Sequence, residues 1–268
     1  MIRQPAVAGQ FYPSDPLQLR ADLTALVVRA DSREQVLGII APHAGYMYSG
    51  MVAGAVYGVV EVPQTVIVLG PNHHGLGTQA ALYPEGNWMT PLGSVPINSR
   101  LAELVRKHAP LVEIDTVAHN YEHSLEVQIP FLQYVNPAVS IVPVCLGFSD
   151  FASCRSLGEG IARAINEFGE HVLIVASSDM THYESAAAAK QKDDLAIKEA
   201  LALNPEGLLK VCREKGITMC GVIPATVMLV AAKSLGALRA RLVRYATSGD
   251  VTGDQRQVVA YAALTVAV

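Results

Sequence analysis

Short runs of apolar, largely β-branched residues alternate along this chain with longer stretches of helical periodicity, and that alternation limits its fold more than anything else. The runs fall at 36–41, 65–69, 139–145, 171–177, 241–247 and 258–266. The helical stretches fall at 16–30, 50–60, 98–108, 123–135, 151–168, 185–203, 205–214 and 221–236. Runs that are apolar at nearly every position fit strands buried on both faces. Interleaved with helices, they predict an α/β fold with a central mixed, mostly parallel sheet flanked by helices. Pro130 should kink or break the helix it falls in. Asn98 or Ser99, Asn204 before Pro205, and Ser149-Asp150 supply helix starts. No low-complexity segment, charge block or Ser/Gly-rich linker interrupts the pattern, so residues 1–268 read as one domain.

Composition narrows the function. A net charge of −4 and the lack of any basic run give no footprint for nucleic acid. No apolar stretch reaches the roughly 18 residues of a membrane span. The most apolar segment, Gly221 to Ala232, contains Pro224 and stops at Lys233, as a buried helix would. The start of the chain has no signal-peptide pattern, which leads to the expectation of a cytoplasmic protein. Its four cysteines, Cys145, Cys154, Cys212 and Cys220, form no CxxC pair and read as reduced thiols.

The chemistry gathers where the apolar runs end. Val36-Leu-Gly-Ile-Ile-Ala-Pro leads to His43, Thr65-Val-Ile-Val-Leu-Gly-Pro-Asn to His73 and His74, and Leu173-Ile-Val-Ala-Ser-Ser to Asp179 and His182. In open α/β sheets the carboxyl ends of the strands form the ligand-binding rim. Adjacent side chains of an extended loop point opposite ways, so one of His73 and His74 should reach a shared site; spacing does not choose between them. Asp179, three residues before His182, can orient it or act beside it as an acid/base, or can cap the following helix. Glu122 and His123 open a helix, one suited to capping and the other to the pocket. Tyr46 and Tyr48 add phenols to the rim. Cys220 immediately precedes an apolar helix, where a thiol is expected to ionise readily, and thiolate is the form that ligates metal. Imidazole and thiolate donors suit zinc, iron or copper over magnesium or calcium.

Five ordered motifs now stand together: Ala41-Pro-His-Ala-Gly-Tyr-Met-Tyr-Ser-Gly50, Leu69-Gly-Pro-Asn-His-His-Gly75, Glu122-His-Ser-Leu-Glu-Val127, Ser177-Ser-Asp-Met-Thr-His-Tyr183 and Cys220-Gly221. With the opening Arg3-Gln-Pro-Ala-Val-Ala-Gly-Gln-Phe-Tyr-Pro13, the chain resembles the Memo family, also called AmmeMemoRadiSam system protein B, over essentially its whole length. The resemblance implies a fold similar to class III extradiol dioxygenases, non-haem iron enzymes with two histidines and a glutamate on Fe(II); the Memo proteins carry a cysteine in place of the glutamate. It implies His43, His74 and Cys220 as metal ligands, with His182 and Asp179 beside the metal as catalytic residues. Tyr48, His73, Glu122, His123 and Phe11 would line the pocket, Phe11 standing where eukaryotic members have tryptophan. Fe(II) is the first expected cofactor, with copper or zinc as alternatives. A thiolate ligand, softer than a carboxylate, would shift the redox potential and weaken discrimination against copper.

The activity implied is that of a metal-dependent, dioxygenase-like oxidoreductase acting on a small molecule or peptide. The family name implies two partners, a radical-SAM protein and an AMMECR-type protein. Two other readings fit the same residues: a non-catalytic module binding a peptide or protein in the inherited cleft, and a cysteine hydrolase with Cys220 as nucleophile and His182 or His43 as base.

Overall fold

The computed structural model describes residues 1–268. Its centre is four parallel strands in the order Gly38–Ala41, Val172–Ser177, Thr65–Pro71 and Ser140–Leu146. Antiparallel pairing extends this core on both sides, Val258–Ala267 against Gly38–Ala41 and Ala80–Leu82 against Ser140–Leu146. Arg239–Thr247 and His182–Glu184 both pair antiparallel with Val258–Ala267, and Glu113–Ile114 pairs parallel with Ala80–Leu82, completing a nine-stranded mixed sheet. Parallel pairing is thus concentrated at the centre, where helical crossovers join the strands.

The period of two in each central strand divides the core. Ile40, Ile67, Leu69, Val142, Val144, Ile174 and Ala176 enter one hydrophobic cluster, whereas Ile39, Ala41, Val66, Val68, Ile141, Leu173 and Val175 enter the other. Helices Phe151–Phe168, Pro205–Glu214 and Val222–Ser234 bury their apolar positions on the first face. Pro16–Leu26, Tyr46–Val59 and Ile129–Val135 contribute theirs to the second. Burial on both faces is why these strands are apolar throughout.

All six strands expected from the apolar runs are present. Six further short strands are not marked in the sequence, among them a separate three-stranded sheet of Ile2–Arg3, Asn87–Thr90 and Gly93–Pro96. Its strands are too short for alternation to register. The helix expected at 123–135 is two helices, His123–Glu126 and Ile129–Val135, and Pro130 lies in the first turn of the second, where its missing N–H costs nothing. The helix expected to begin at residue 50 begins at Tyr46, directly after the turn at Gly45.

Candidate metal centre

The carboxyl ends of the parallel strands deliver the site. His43 follows Gly38–Ala41, His73 follows Thr65–Pro71, and Asp179 and His182 follow Val172–Ser177. Two close approaches bring in the remaining residues. A side chain at Gly70 would lie 2.6 Å from Ser124 Oγ, so the strand can press against the helix that begins at His123. Ser124 Oγ donates to the Pro71 carbonyl at 3.0 Å and fastens the two together. A side chain at Gly221 would meet the Ser177 carbonyl at 2.2 Å, so only glycine lets the turn carrying Cys220 seat on the strand end. There the Gly221 N–H donates to Ser178 Oγ at 2.9 Å.

The result is a group of three imidazoles, His43, His73 and His123, whose candidate ligand nitrogens all lie within 4.8 Å of one another. Ring centroids are 5.2 Å apart for His43 and His73, 5.4 Å for His43 and His123, and 4.6 Å for His73 and His123. Two nitrogens bound to one transition metal at about 2.1 Å each can be at most about 4.2 Å apart, so small ring movements would close the group on an ion. Burial, followed by the neighbouring imidazoles, holds His43 well below the ordinary histidine range. Burial likewise lowers His123 to about 4. These rings are therefore neutral near pH 7, the form that binds metal.

Hydrogen bonds orient the imidazoles. Glu122, fully buried, accepts from the His73 backbone N–H at 2.7 Å, from His73 Nδ1 at 2.8 Å and from the Ser124 N–H at 2.9 Å. Because a carboxylate only accepts, Nδ1 of His73 carries a proton, and in the neutral ring Nε2 is the nitrogen with the free lone pair. Burial alone would push the Glu122 carboxyl up, but the hydrogen bond from His73 and the bonds from Ser124 hold it well below the usual carboxylate range. His123 Nδ1 lies 3.5 Å from the same carboxylate. Carboxylate-backed imidazoles of this kind are the usual support of a protein metal site.

Several expected roles change. His74, expected as a ligand, stands outside the group: its Nε2 donates to the Tyr121 carbonyl at 3.0 Å and the residue is exposed. The neighbours in the loop do point apart, and it is His73 that turns inward, drawn by Glu122. His123, expected in the pocket wall, supplies the third nitrogen. Cys220, expected as a ligand, lies beside the group, with Sγ 3.1 Å from His43 Nε2 and accepting from the Asp179 N–H at 3.3 Å. Its expected ready ionisation is overturned. The helix begins at Val222 with Gly221 as its cap, leaving Cys220 outside the first turn, and burial followed by the Asp179 carboxyl pushes the thiol up.

Asp179 is buried and accepts from the His43 N–H at 2.8 Å and from the Ala44 N–H at 3.3 Å. Burial raises its carboxyl to about 6, offset by the two backbone donors and His182. It therefore braces the His43 loop and does not cap the helix after residue 185, where Ser185 is the cap. His182 is half-buried; its N–H donates to Thr218 Oγ1 at 2.7 Å and its Nδ1–H to the Thr218 carbonyl at 3.0 Å, leaving Nε2 as the acceptor. A bulge at Tyr183, with φ of 60°, separates His182 from Glu184 along the sheet edge. The Phe11 ring packs on His123 at 4.6 Å between centroids, and Phe11 and Tyr48 line a neighbouring cavity of about 290 Å³.

Sequence reading gave no role to Glu126, the hub of the N-terminal segment around Phe11. Its carboxylate accepts from Arg3 Nη1 at 2.7 Å, the Ala6 N–H at 2.8 Å, the Val7 N–H at 3.0 Å and Tyr12 Oη at 2.6 Å. It also missed Ser177 and Gln128. The available signal was polarity inside apolar runs: Gln128 stands between Val127 and Ile129 and is fully buried.

Comparison with known proteins agrees with this architecture. The family described as Memo-like protein matches residues 3–265. A MEMO1 family protein of Methanopyrus kandleri is 42% identical over 98% of each chain. One from Aquifex aeolicus is 44% identical over 97% of each. Among solved structures, an uncharacterized protein of Escherichia coli K12 superposes with a TM-score of 0.56 at 14% identity, covering 85% of this chain and 99% of that one, a likeness of fold alone.

Proposed function

From the premise that this chain belongs to the Memo family, we propose that it is a metal-dependent redox enzyme of the dioxygenase-like type, with Fe(II) as its first-choice metal. The observation that carries this reading is the convergence of three imidazoles, one of them backed by a buried carboxylate. His43, His73 and His123 would hold the ion, and Cys220, 3.1 Å from His43 Nε2, is positioned to add a thiolate once its proton leaves. Three nitrogen donors leave coordination positions for substrate, as catalytic sites require, and the metal would supply redox chemistry there. Soft donors keep copper and zinc as alternatives.

The protein's own groups would handle protons. His182, fixed through Nδ1 on Thr218, offers Nε2 as a base. Asp179, raised to about 6, can carry a proton near neutral pH while its Oδ1 braces the His43 loop. Phe11 and Tyr48 would form the substrate wall. The family resemblance further suggests action alongside a radical-SAM protein and an AMMECR-type protein. The test is anaerobic purification with metal analysis, then oxygen uptake with the radical-SAM partner present. Bound iron with partner-dependent uptake supports the reading, whereas protein that takes up no transition metal removes it.

One observation favours a second reading, the cysteine hydrolase. The Cys220–His43 contact of 3.1 Å is that of a thiol with its base. Against it, burial stabilises the neutral thiol. Rapid iodoacetamide labelling of Cys220 that added metal does not slow would favour the hydrolase.

A further inference from the structure

We propose that a buried, directional hydrogen-bond relay, Tyr57–Gln128–Ser177, fixes the tautomer of His43 and so aims its Nε2 lone pair into the metal group. The inference rests on reading the three histidines as ligands, but the relay is defined by hydrogen-bond counting alone. All three relay side chains are fully buried, so each polar hydrogen needs an acceptor.

Counting starts at Tyr57, whose hydroxyl donates to Gln128 Oε1 at 2.9 Å. The amide orientation is set independently at its other end, because Gln128 Nε2 donates to the Pro42 carbonyl at 2.9 Å and carbonyls only accept. The second Nε2 hydrogen goes to Ser177 Oγ at 2.8 Å. Ser177 has one proton, and the Ser124 carbonyl at 2.6 Å takes it. Ser177 Oγ therefore meets His43 Nδ1, 2.9 Å away, as an acceptor, and His43 must carry its proton on Nδ1. Nε2 is left bare, facing the Cys220 thiol at 3.1 Å, which can donate to it until a metal takes its place.

His73 and His43 are thus prepared for the same task by different means. His73 is backed by a carboxylate, His43 by a neutral chain that reaches from the helix Tyr46–Val59 through the protein interior. Gln128 and Ser177 are positioning residues: they act through His43 and leave the coordination positions free. The assignment also accounts for a polar side chain, Gln128, placed in an otherwise apolar run at the helix junction.

The test is long-range proton–nitrogen NMR of histidine-labelled, metal-free protein, joined to anaerobic titration with Co(II). In the wild-type protein His43 should be protonated at Nδ1 and bare at Nε2. A wild-type His43 protonated at Nε2 overturns the relay, and this measurement needs no substitution. In Ser177→Ala the preference should be lost and Co(II) should bind about 10–100-fold more weakly. An unchanged tautomer and unchanged Co(II) affinity in that variant overturn the role of Ser177. Should the wild-type tautomer be as stated and be lost in Ser177→Ala while Co(II) binds neither protein, the relay stands and the metal reading fails.

Discussion

At the scale of single residues, the site depends on which groups are forced to be donors and which acceptors. Glu122 shows this most sharply. It is fully buried, ionised, and meets three N–H donors, so every bond it makes is directed. Glu122→Gln keeps the shape but replaces one accepting oxygen by a donor, leaving a buried N–H opposite an N–H. The expected cost is about 1–3 kcal/mol of folding stability by urea denaturation. Metal affinity should fall about 10–100-fold, because His73 loses its orienting carboxylate. Retention of both would mean that His73 is held by packing alone. The choice between His73 and His74 belongs to the same scale. Their sequence environments are alike, and only the carboxylate on the opposing helix distinguishes them.

At the scale of elements, the central architecture was legible and the edges were not. Gly38–Ala41, Thr65–Pro71, Ser140–Leu146 and Val172–Ser177 are apolar because both faces are covered, and that pattern is visible in a linear chain. Strands such as Ile2–Arg3 or Glu113–Ile114 owe their existence to a partner strand and have no pattern of their own. The rim position of His43, Asp179 and His182 followed directly from the strand ends. The seating of Cys220 did not. Its local context suggested a helix N-terminus and a ready thiolate, whereas burial against the strand end, followed by the charge of the Asp179 carboxyl, determines the opposite. The third imidazole also depended on tertiary approach, through the Gly70–Ser124 contact that no local pattern records.

At the scale of the whole molecule, housing neutral histidines has a consequence for stability. His119 and His123 are lowered to about 4, chiefly by burial, and burial holds His43 well below the ordinary range as well. In the unfolded chain these groups take up protons near the ordinary value of about 6.5. Between about 6.5 and 4 the unfolded state therefore binds more protons, and stability falls as the pH falls. Asp179, raised to about 6, and Asp193, also raised by burial, act in the opposite sense over part of this window, but they are two groups against three. Metal-free protein should accordingly show a lower Tm at pH 5 than at pH 7.5. A Tm that is level or higher at pH 5 would contradict the burial of these imidazoles in neutral form. The central claim is that three histidines from separate elements make one metal centre per chain. The most direct measurement is the metal content of wild-type protein and of His43→Ala, His73→Ala, His123→Ala and His74→Ala, each equilibrated anaerobically with Fe(II) and freed of excess. One bound metal per chain in wild type and in His74→Ala, with occupancy lost in the other three, is the predicted result. Full occupancy in His73→Ala, or its loss in His74→Ala, would contradict it.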